Sequence, residues 1–387
     1  MNNMIKVVVF TGTRAEYGLL YWLLKDLNTD QSCHLDLLVS GTHLSPEFGY
    51  TIKQIEDDGF DVSERVDMLV SSDSAVGTVK SIGLGVIGFS DSLARLDPDV
   101  IVILGDRFEA LAAAQTALIL RIPIVHLHGG EITEGAYDDS IRHAITKLSY
   151  LHGTSNQEHR QRVIQLGETP DRVHVVGAMG LEYINRTPLM SKKDLVKSIK
   201  FDLNKPFFIV TFHAVTLSHK SSLNEFQSLL NALDAFPDYQ LVMTYPNADA
   251  GGRELIPILE TYTTLNASRV FSITSLGLHR YLSAVKYASA VIGNSSSGII
   301  EAPSLKTPTV NIGIRQNGRS AAKSVINCEP ITSEIVKAIN IAVGEERADD
   351  FFENPYGEGN ASSKVIDMIK SCNFKSSKRF YDIKGSD

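Results

Sequence analysis

Two stretches decide the fold: VIVILGDR at residues 100–107 and IPIVHLHGGE at residues 122–131. In each, an apolar run leads directly into charged or titratable residues. An all-apolar run of four to six residues is typical of a strand covered on both faces, as in a parallel sheet. Ligands of open α/β sheets bind beyond the carboxyl ends of the strands. We therefore expect the Asp106–Arg107 pair to meet the His/Glu cluster of the second stretch at a binding site. The alternative is a structural ion pair beside a helix cap.

Similar runs alternate with helical segments along the chain to about residue 345. This alternation predicts an α/β fold of two Rossmann-like, doubly wound domains that face each other across a cleft. A polar stretch at residues 185–205 looks like the crossing between them. We expect domains at residues 1–185 and 186–363, and a helix at 364–387 that packs back on the first domain. The predicted strands cover residues 5–10, 35–39, 100–104, 124–127, 173–176, 207–211, 241–244, 270–273, 290–292 and 309–312.

The composition narrows the class of protein. The 387 residues are 43% hydrophobic and 21% charged, with a net charge of −8 and no long basic block, which argues against nucleic-acid binding. No stretch approaches the roughly 20 apolar residues of a membrane span. The start of the chain resembles a first strand rather than a signal peptide. The three cysteines are far apart and suggest neither a disulfide framework nor a zinc site. We expect a cytoplasmic protein.

The segment TGTRAEYG at residues 11–18 follows the first strand and opens a helix. A small-residue turn there exposes backbone N–H groups, which favours a phosphate or carboxylate, and Arg14 adds a charged contact. The segment matches neither GxGxxG nor a Walker loop, so NAD and ATP lose support. The alternative is a tight turn with a surface arginine.

A second candidate loop is GNSSSG at residues 293–298. Three hydroxyls and several N–H groups at a helix start form an uncharged cradle for a diphosphate. Glu301, one turn later, is placed to accept hydrogen bonds from ribose hydroxyls. Capping alone needs only one serine, so we favour ligand binding by Ser295 and Ser296.

Two further positions follow strands of the second half. His213 comes after the strand at residues 207–211 and could donate to a phosphate or act as an acid, although a buried core histidine is the alternative. Asn247, in the loop YPNADAGG, is a candidate ligand contact, although turn-forming Asn is common.

The histidines and acids after residue 122 form the fourth candidate. His126 and His128 alternate on a strand, which predicts that they face the same side. Their spacing matches no zinc motif, so we favour paired acids for proton transfer over a metal. The cluster comprises His126, His128, Glu131, Asp138, Asp139 and Arg142.

Together the motifs TGTRAEYG, LGDR, HLHGGE with DDSIRHAITK, VTFH, YPNADAGG and GNSSSGIIEAPSLKTPTVNIG resemble the UDP-N-acetylglucosamine 2-epimerase family. The likeness runs from about residue 5 to 320 or beyond. It is strongest for the hydrolysing branch, which supplies N-acetylmannosamine for sialic acid synthesis. The resemblance implies a glycosyltransferase-B type of fold with a UDP sugar between its domains. It also implies a homodimer or homotetramer, and a reaction that requires neither metal nor NAD.

The resemblance also implies roles for individual residues. Asp106, Arg107, Glu131 and Asp138 would surround the sugar, with Asp106 as one essential carboxylate. Family members often carry Glu where this chain has His128, so the second acid/base is His128, Glu131 or Asp138. UDP would be held by Arg14, His213, Asn247, Ser295, Ser296, Glu301 and Arg315.

The implied reaction has two halves. A base removes the proton on the second carbon of UDP-N-acetylglucosamine while UDP leaves, which gives 2-acetamidoglucal. Water then adds at the anomeric carbon, and an acid reprotonates the second carbon from the opposite face.

Three alternatives stay open at this point. One is a sibling enzyme on UDP-2,4-diacetamido-2,4,6-trideoxyglucose, of the legionaminic acid type, with a sugar pocket around Thr42, His43 and Phe89 as the discriminator. Another is a non-hydrolysing 2-epimerase. The third is a UDP-sugar sensor without turnover, although the many titratable residues argue against it.

Overall fold

The computed structural model describes residues 4–72, 74–133, 137–214, 222–246, 252–344 and 348–383. The chain divides into two compact units: Met1–Tyr183 with Gly359–Asp387, and Ile184–Glu358. None of the helices in these ranges combines enough length with enough apolar character to span a lipid bilayer. Asn247 lies outside the described residues.

The first unit contains a seven-stranded parallel sheet in its described part. Its strands are β1 Ile5–Thr11, β2 Cys33–Ser40, β3 Glu64–Val66, β4 Val100–Leu104, β5 Ile124–Leu127, β6 Leu151–Thr154 and β7 Val173–Val175. Its helices are α1 Arg14–Thr29, α2 Ile52–Asp57, α3 Ala75–Leu96, α4 Phe108–Ile119, α5 Tyr137–Leu148 and α6 Gln157–Gln165. Helix α7, Leu181–Arg186, spans the point where the chain leaves this unit.

The central strands of this sheet are covered on both faces. In β1, Val7 and Val9 pack into one apolar cluster, whereas Val8 and Phe10 pack into the other. This is the arrangement that uninterrupted apolar runs predict, because successive side chains point to opposite faces of a strand. The final helix, Ala361–Ser371, belongs to this unit, and its residue Val365 joins the same cluster as Val7.

The second unit repeats the design with six parallel strands in its described part. The strands are β8 Phe207–Thr211, β9 Gln240–Thr244, β10 Val270–Ile273, β11 Ala290–Gly293, β12 Thr309–Ile312 and β13 Val325–Cys328. The helices are α8 Lys192–Ile199, α9 Ser222–Leu233, α10 Gly252–Leu265, α11 Leu278–Tyr287, α12 Ser297–Ile300 and α13 Thr332–Val343, and we number the final helix, Ala361–Ser371, α14.

The polar stretch at residues 185–205 is not only a linker between the two units, because part of it forms a helix. It contains α8, whose Leu195 and Ile199 are buried in the core of the second unit. Ser191 caps this helix by accepting a hydrogen bond from Asp194 N. The composition concealed this helix because its other positions are mostly polar and exposed.

Both sheets have the same strand order, apart from the additional edge strand β7 in the first. The first runs β3-β2-β1-β4-β5-β6-β7 and the second β10-β9-β8-β11-β12-β13. In each sheet, the first three strands in sequence run from the centre to one edge. The fourth strand then pairs with the other side of the first strand, and the later strands continue to the opposite edge. Such a switch point, between β1 and β4 and between β8 and β11, is where doubly wound sheets bind ligands.

Candidate functional site

The turn after β1 is held in place by its own backbone and by the loop after β2. Thr13 caps α1 by accepting a hydrogen bond from Glu16 N at 3.3 Å, and Gly12 N donates to Glu16 Oε2 at 2.8 Å. A Cβ on Gly41, whose φ is +62°, would lie 2.6 Å from Gly12 O. The two loops therefore approach more closely than a side chain allows. Arg14 is exposed at the start of the helix.

Arg107 is anchored at the same switch point by a buried carboxylate. Its Nε and Nη2 donate to the two oxygens of Glu109 at 3.2 and 3.1 Å, and Glu109 is fully buried. The pKa of Glu16 is raised to about 7, mainly by burial and in part by the nearby Glu109 charge, against the lowering effect of the Gly12 N–H. The guanidinium thus offsets part of a dense negative region beneath the turn.

Arg142 joins the loops that follow β4 and β5. It is 4% exposed and forms an ion pair with Asp106. Its Nη1 donates to the backbone oxygen of Glu131 at 2.8 Å, and its Nη2 donates to Thr133 Oγ1 at 2.9 Å. The sequence placed Arg142 in the acidic cluster without a role. The structure makes it the residue that holds Asp106 in place.

His128 has both ring nitrogens engaged. Its Nδ1 lies 3.2 Å from Glu131 Oε1, and its Nε2 accepts a hydrogen bond from Met179 N at 3.1 Å. The backbone N–H can only donate, so Nε2 is the acceptor and Nδ1 carries the proton. The φ of His128 is +64°, outside the extended region. The strand alternation that predicted a common side for His126 and His128 therefore does not extend to His128.

Asp138 lies in the first turn of α5. Burial raises the pKa of this carboxyl group, and the Asp106 charge raises it further, whereas Arg107 and Arg142 lower it. Asp106, in contrast, is directly ion-paired with Arg142. The structure thus brings two carboxylates together in different electrostatic environments, which is the usual arrangement of an acid and a base.

Three side chains that the sequence placed near the site belong to the core instead. His126 donates from Nε2 to Gly105 O at 2.8 Å, and burial lowers its pKa to about 3. His43 is fully buried, and burial lowers its pKa to about 4. Phe89 is fully buried and stacks edge-on against Phe10. Two of the three residues of the expected discriminating pocket, His43 and Phe89, are therefore core residues, whereas the third, Thr42, is partly exposed. In the described part of the chain, no group of three or more His, Cys, Asp or Glu residues could hold a metal ion.

The second switch point is built around Asn294, which is 1% exposed. Its Oδ1 accepts from His213 N at 2.8 Å, and its Nδ2 donates to His213 O at 2.9 Å, so that the two loops are joined by a pair of hydrogen bonds. Arg315 Nη1 donates to Asn294 O at 3.1 Å. A Cβ on Gly293 would lie only 1.9 Å from Thr211 O, so glycine is required here.

The serine loop follows directly. Ser295, Ser296 and Glu301 are all partly exposed, and Ser297 N donates to Ser295 Oγ at 3.4 Å. The structure therefore brings together His213, the serine loop and Arg315 at one end of the second sheet. Asp106, Arg107, Glu131, Asp138, Arg14 and His128 lie at the corresponding end of the first sheet, on loops that follow β1, β4 and β5 or at a helix start.

These features define an α/β protein with two Rossmann-type units, each with a polar site at its switch point. Residues 25–370 match the family described as UDP-N-acetylglucosamine 2-epimerase. The chain belongs to this family.

Named relatives cover most of the chain. It is 41% identical to the GDP/UDP-N,N'-diacetylbacillosamine 2-epimerase (hydrolyzing) of Campylobacter jejuni, over 84% of each chain. It is 38% identical to the polysialic acid biosynthesis protein P7 of Escherichia coli, over 98% of each. It is 33% identical to the UDP-N,N'-diacetylbacillosamine 2-epimerase (hydrolyzing) of Legionella pneumophila, over 95% of this chain and 96% of that one.

Solved structures share the fold. The UDP-GlcNAc 2-epimerase of Neisseria meningitidis bound to UDP-GlcNAc matches with a TM-score of 0.75 and 18% identity, over 95% of this chain and all of the other. The Methanocaldococcus jannaschii enzyme in complex with UDP-GlcNAc and UDP matches with a TM-score of 0.71 and 16% identity, over 95% and 99%. The expected two-domain fold of the glycosyltransferase-B type is confirmed.

Proposed function

We propose that the protein is a hydrolysing 2-epimerase, which converts a UDP-2-acetamido sugar and water into UDP and the free 2-epimeric sugar. The observation that carries the proposal is the set of three carboxyl groups, Asp106, Glu131 and Asp138, gathered at the first switch point. The reaction needs three proton transfers: one from the second carbon, one from water and one back to the second carbon.

In this proposal the second unit holds UDP. The serine hydroxyls and backbone N–H groups face the diphosphate without adding charge, and Glu301 accepts hydrogen bonds from the ribose. His213 and Arg315 balance the negative charge that grows on the departing diphosphate, and so stabilise the transition state more than the bound substrate. Arg14 and Asn247 complete the UDP contacts that the family resemblance implies.

Asp106 is the base of the first half-reaction. Arg142 forms an ion pair with it and fixes its position, and the carboxylate accepts the proton from the second carbon. The electrons of that C–H bond form the C1–C2 double bond, and the C1–O bond breaks with its electron pair on UDP. A single well-placed acid or base contributes about 10²–10⁴-fold in such steps.

The second half-reaction adds water to the glycal. Glu131 takes a proton from water as its oxygen bonds to the first carbon, and Asp138, whose pKa is raised, delivers a proton to the second carbon. His128 is a positioning residue for Glu131 in this scheme, since Met179 N and Glu131 occupy its two nitrogens. Arg107 contacts the sugar from the same group of loops.

The named relatives favour UDP-N,N'-diacetylbacillosamine, which is the 2,4-diacetamido-2,4,6-trideoxy sugar, as the better substrate. Two hydrolysing relatives at 41% and 33% identity carry this sugar in their names. UDP-N-acetylglucosamine is the second candidate, because the 38% identical relative of polysialic acid biosynthesis aligns over 98% of each chain.

The test is to incubate the protein with each UDP sugar in heavy water and to follow the proton spectrum. We expect free UDP and a 2-epimeric sugar deuterated at its second carbon, formed faster from the diacetamido sugar. Epimerised UDP sugar in place of free sugar would indicate a non-hydrolysing enzyme. UDP-sugar binding without turnover would overturn the proposal in favour of a sensor.

A further inference from the structure

The loop that carries Glu131 contacts both β6 and α6. His128 N donates to Gly153 O at 2.9 Å, and Arg162 donates to Gly130 O. A Cβ on Gly130, whose φ is +80°, would lie 2.4 Å from His159 O, so the loop and the helix are in direct backbone contact. Asn156 caps α6 by accepting from His159 N at 2.8 Å. The end of β6 and helix α6 thus support the loop.

A chain of hydrogen bonds leads from this support to the Glu131 carboxylate. His159 Nδ1 lies 2.8 Å from Ser155 Oγ, and Ser155 Oγ lies 3.1 Å from Glu131 Oε1. Ser155 is fully buried, and His159 is 2% exposed. The scheme above assigns no role to either residue, and neither was among the candidates that the sequence provided.

The hydrogen bonds from His159 through Ser155 to Glu131 can persist whether Glu131 is ionised or protonated, because the Ser155 hydroxyl can both donate and accept. When Glu131 is ionised, Ser155 donates to it and accepts from the Nδ1–H of His159. When Glu131 is protonated, its hydroxyl donates to Ser155 Oγ, which has two lone pairs and therefore also keeps the hydrogen bond from the Nδ1–H of His159. His128 has no such freedom, since the Met179 N–H fixes its tautomer.

We propose that Ser155 and His159 are positioning residues for Glu131, which hold its carboxyl group in place while it takes up and releases the proton of the hydration step. This rests on the proposed function. Ser155 supplies a reversible hydrogen bond beside the fixed one from His128, so that Glu131 keeps a partner on Oε1 in both protonation states.

The groups around Glu131 come from three elements. His128 lies on the same loop, Arg142 on α5 contacts the Glu131 backbone oxygen, and His159 and Arg162 lie on α6. Burial lowers the pKa of His159 to about 4, so this ring is neutral across the working pH range. A change in the pH profile after substitution at Ser155 therefore does not arise from a change in the charge of His159.

The experiment compares Ser155→Ala with Thr154→Ala, a matched control. Thr154 is an equally buried hydroxyl that bonds to the backbone oxygens of Asn156 and His174. We expect Ser155→Ala to lower kcat about 10- to 100-fold with little change in KM, because a hydrogen bond to a charged group is lost. Ionised Glu131 loses the Ser155 hydroxyl as a hydrogen-bond donor, which should raise the pKa of Glu131. The acid limb of the plot of kcat against pH should therefore move to higher pH by about one unit. The control should leave the profile unchanged.

Two variants of His159 provide an independent test if Ser155→Ala does not fold. His159→Leu removes the Nδ1 group, whereas His159→Asn keeps an amide near that position, so only the leucine variant should show the lowered kcat and shifted limb. Supplying 2-acetamidoglucal directly should show the same loss in the hydration step. Normal UDP release by the unmodified protein, with wild-type profiles for Ser155→Ala and His159→Leu, would overturn this inference alone. No UDP release by the unmodified protein would overturn the proposed function and this inference with it.

Discussion

The two switch points share a strand order but differ in their central buried residue. At the first, Arg142 binds a carboxylate, a hydroxyl and a backbone oxygen. At the second, the neutral amide of Asn294 binds the backbone of His213. The buried guanidinium of Arg142 forms ion pairs with nearby carboxylates, whereas the neutral amide of Asn294 joins two loops by hydrogen bonds alone. Under the proposed function, the same topology supports proton transfer in the first unit and UDP binding in the second.

Removal of the Asp106 charge should give the largest effect. We expect Asp106→Asn to lower kcat by about 10³-fold or more, because the amide cannot accept the proton, while UDP affinity stays near wild type. Steady-state kinetics and calorimetric titration with UDP would measure the two quantities. Asp139→Asn is the control, since Asp139 lies 3.5 Å from Arg142 and has no place in the scheme. Wild-type turnover in Asp106→Asn would remove the central carboxylate from the proposal.

Substitution of the two central residues tests the comparison directly. Arg142→Met breaks a largely buried ion pair, and we expect a loss of about 3 kcal/mol in unfolding free energy together with most of the activity. Asn294→Ala should cost about 1–3 kcal/mol through unpaired backbone groups, and should weaken UDP binding rather than abolish proton transfer. Denaturant unfolding and UDP titration of both variants would measure this. Equal loss of UDP affinity in the two variants would contradict the division of labour.

Glu16 should make the stability of the first unit depend on pH. Its pKa in the folded protein is about 7, against 4.5 as the ordinary value, so the folded state binds a proton that the unfolded chain releases. The stability therefore falls as the pH rises from about 4.5 through 7. The glutamine of Glu16→Gln cannot ionise. This variant should therefore keep the unfolding free energy, on the order of 3 kcal/mol, that the wild-type protein loses by pH 8.

Hydrogen exchange in the α1 segment at pH 5 and pH 8 would check this, with the exposed Glu47→Gln as the control. We expect Glu16→Gln to gain protection over wild type as the pH rises. An identical pH dependence in wild type and Glu16→Gln would show that Glu16 is ionised in the folded state.

The sequence predicted the strands that lie at the centre of each sheet, because burial on both faces leaves a continuous apolar run. It missed β3, β6 and β13. β3 reads Glu-Arg-Val and β13 contains an Asn, and each pairs with a single neighbouring strand. β6 contains His152, which is buried beside Glu168 at 3.1 Å, so its polarity concealed a buried strand.

The candidate site followed the same pattern. The residues directly after apolar strands were predicted, because the end of a strand marks its position in the sheet. Arg142 was in the predicted cluster, but its contacts with Asp106 and Thr133, 36 and 9 residues away, were not predicted. Ser155 and His159 were not predicted at all. Such partners depend on how strands pair, and that pairing is not visible in a local pattern. The positive φ of His128 is likewise not visible in the local pattern, which predicted that the strand alternation continues to this residue.

The serine loop should give the smallest effect and the clearest separation of binding from chemistry. Ser295→Ala with Ser296→Ala removes two neutral hydroxyls, so we expect UDP affinity to fall about 10-fold, near the value of one or two hydrogen bonds, with kcat almost unchanged. Ser333→Ala, at an exposed position, is the control. If kcat fell as far as KM rose, the loop would act on the departing diphosphate in the transition state, and the second unit would share in catalysis. The contrast between the two switch points would then be one of charge alone, because both would stabilise the reacting substrate.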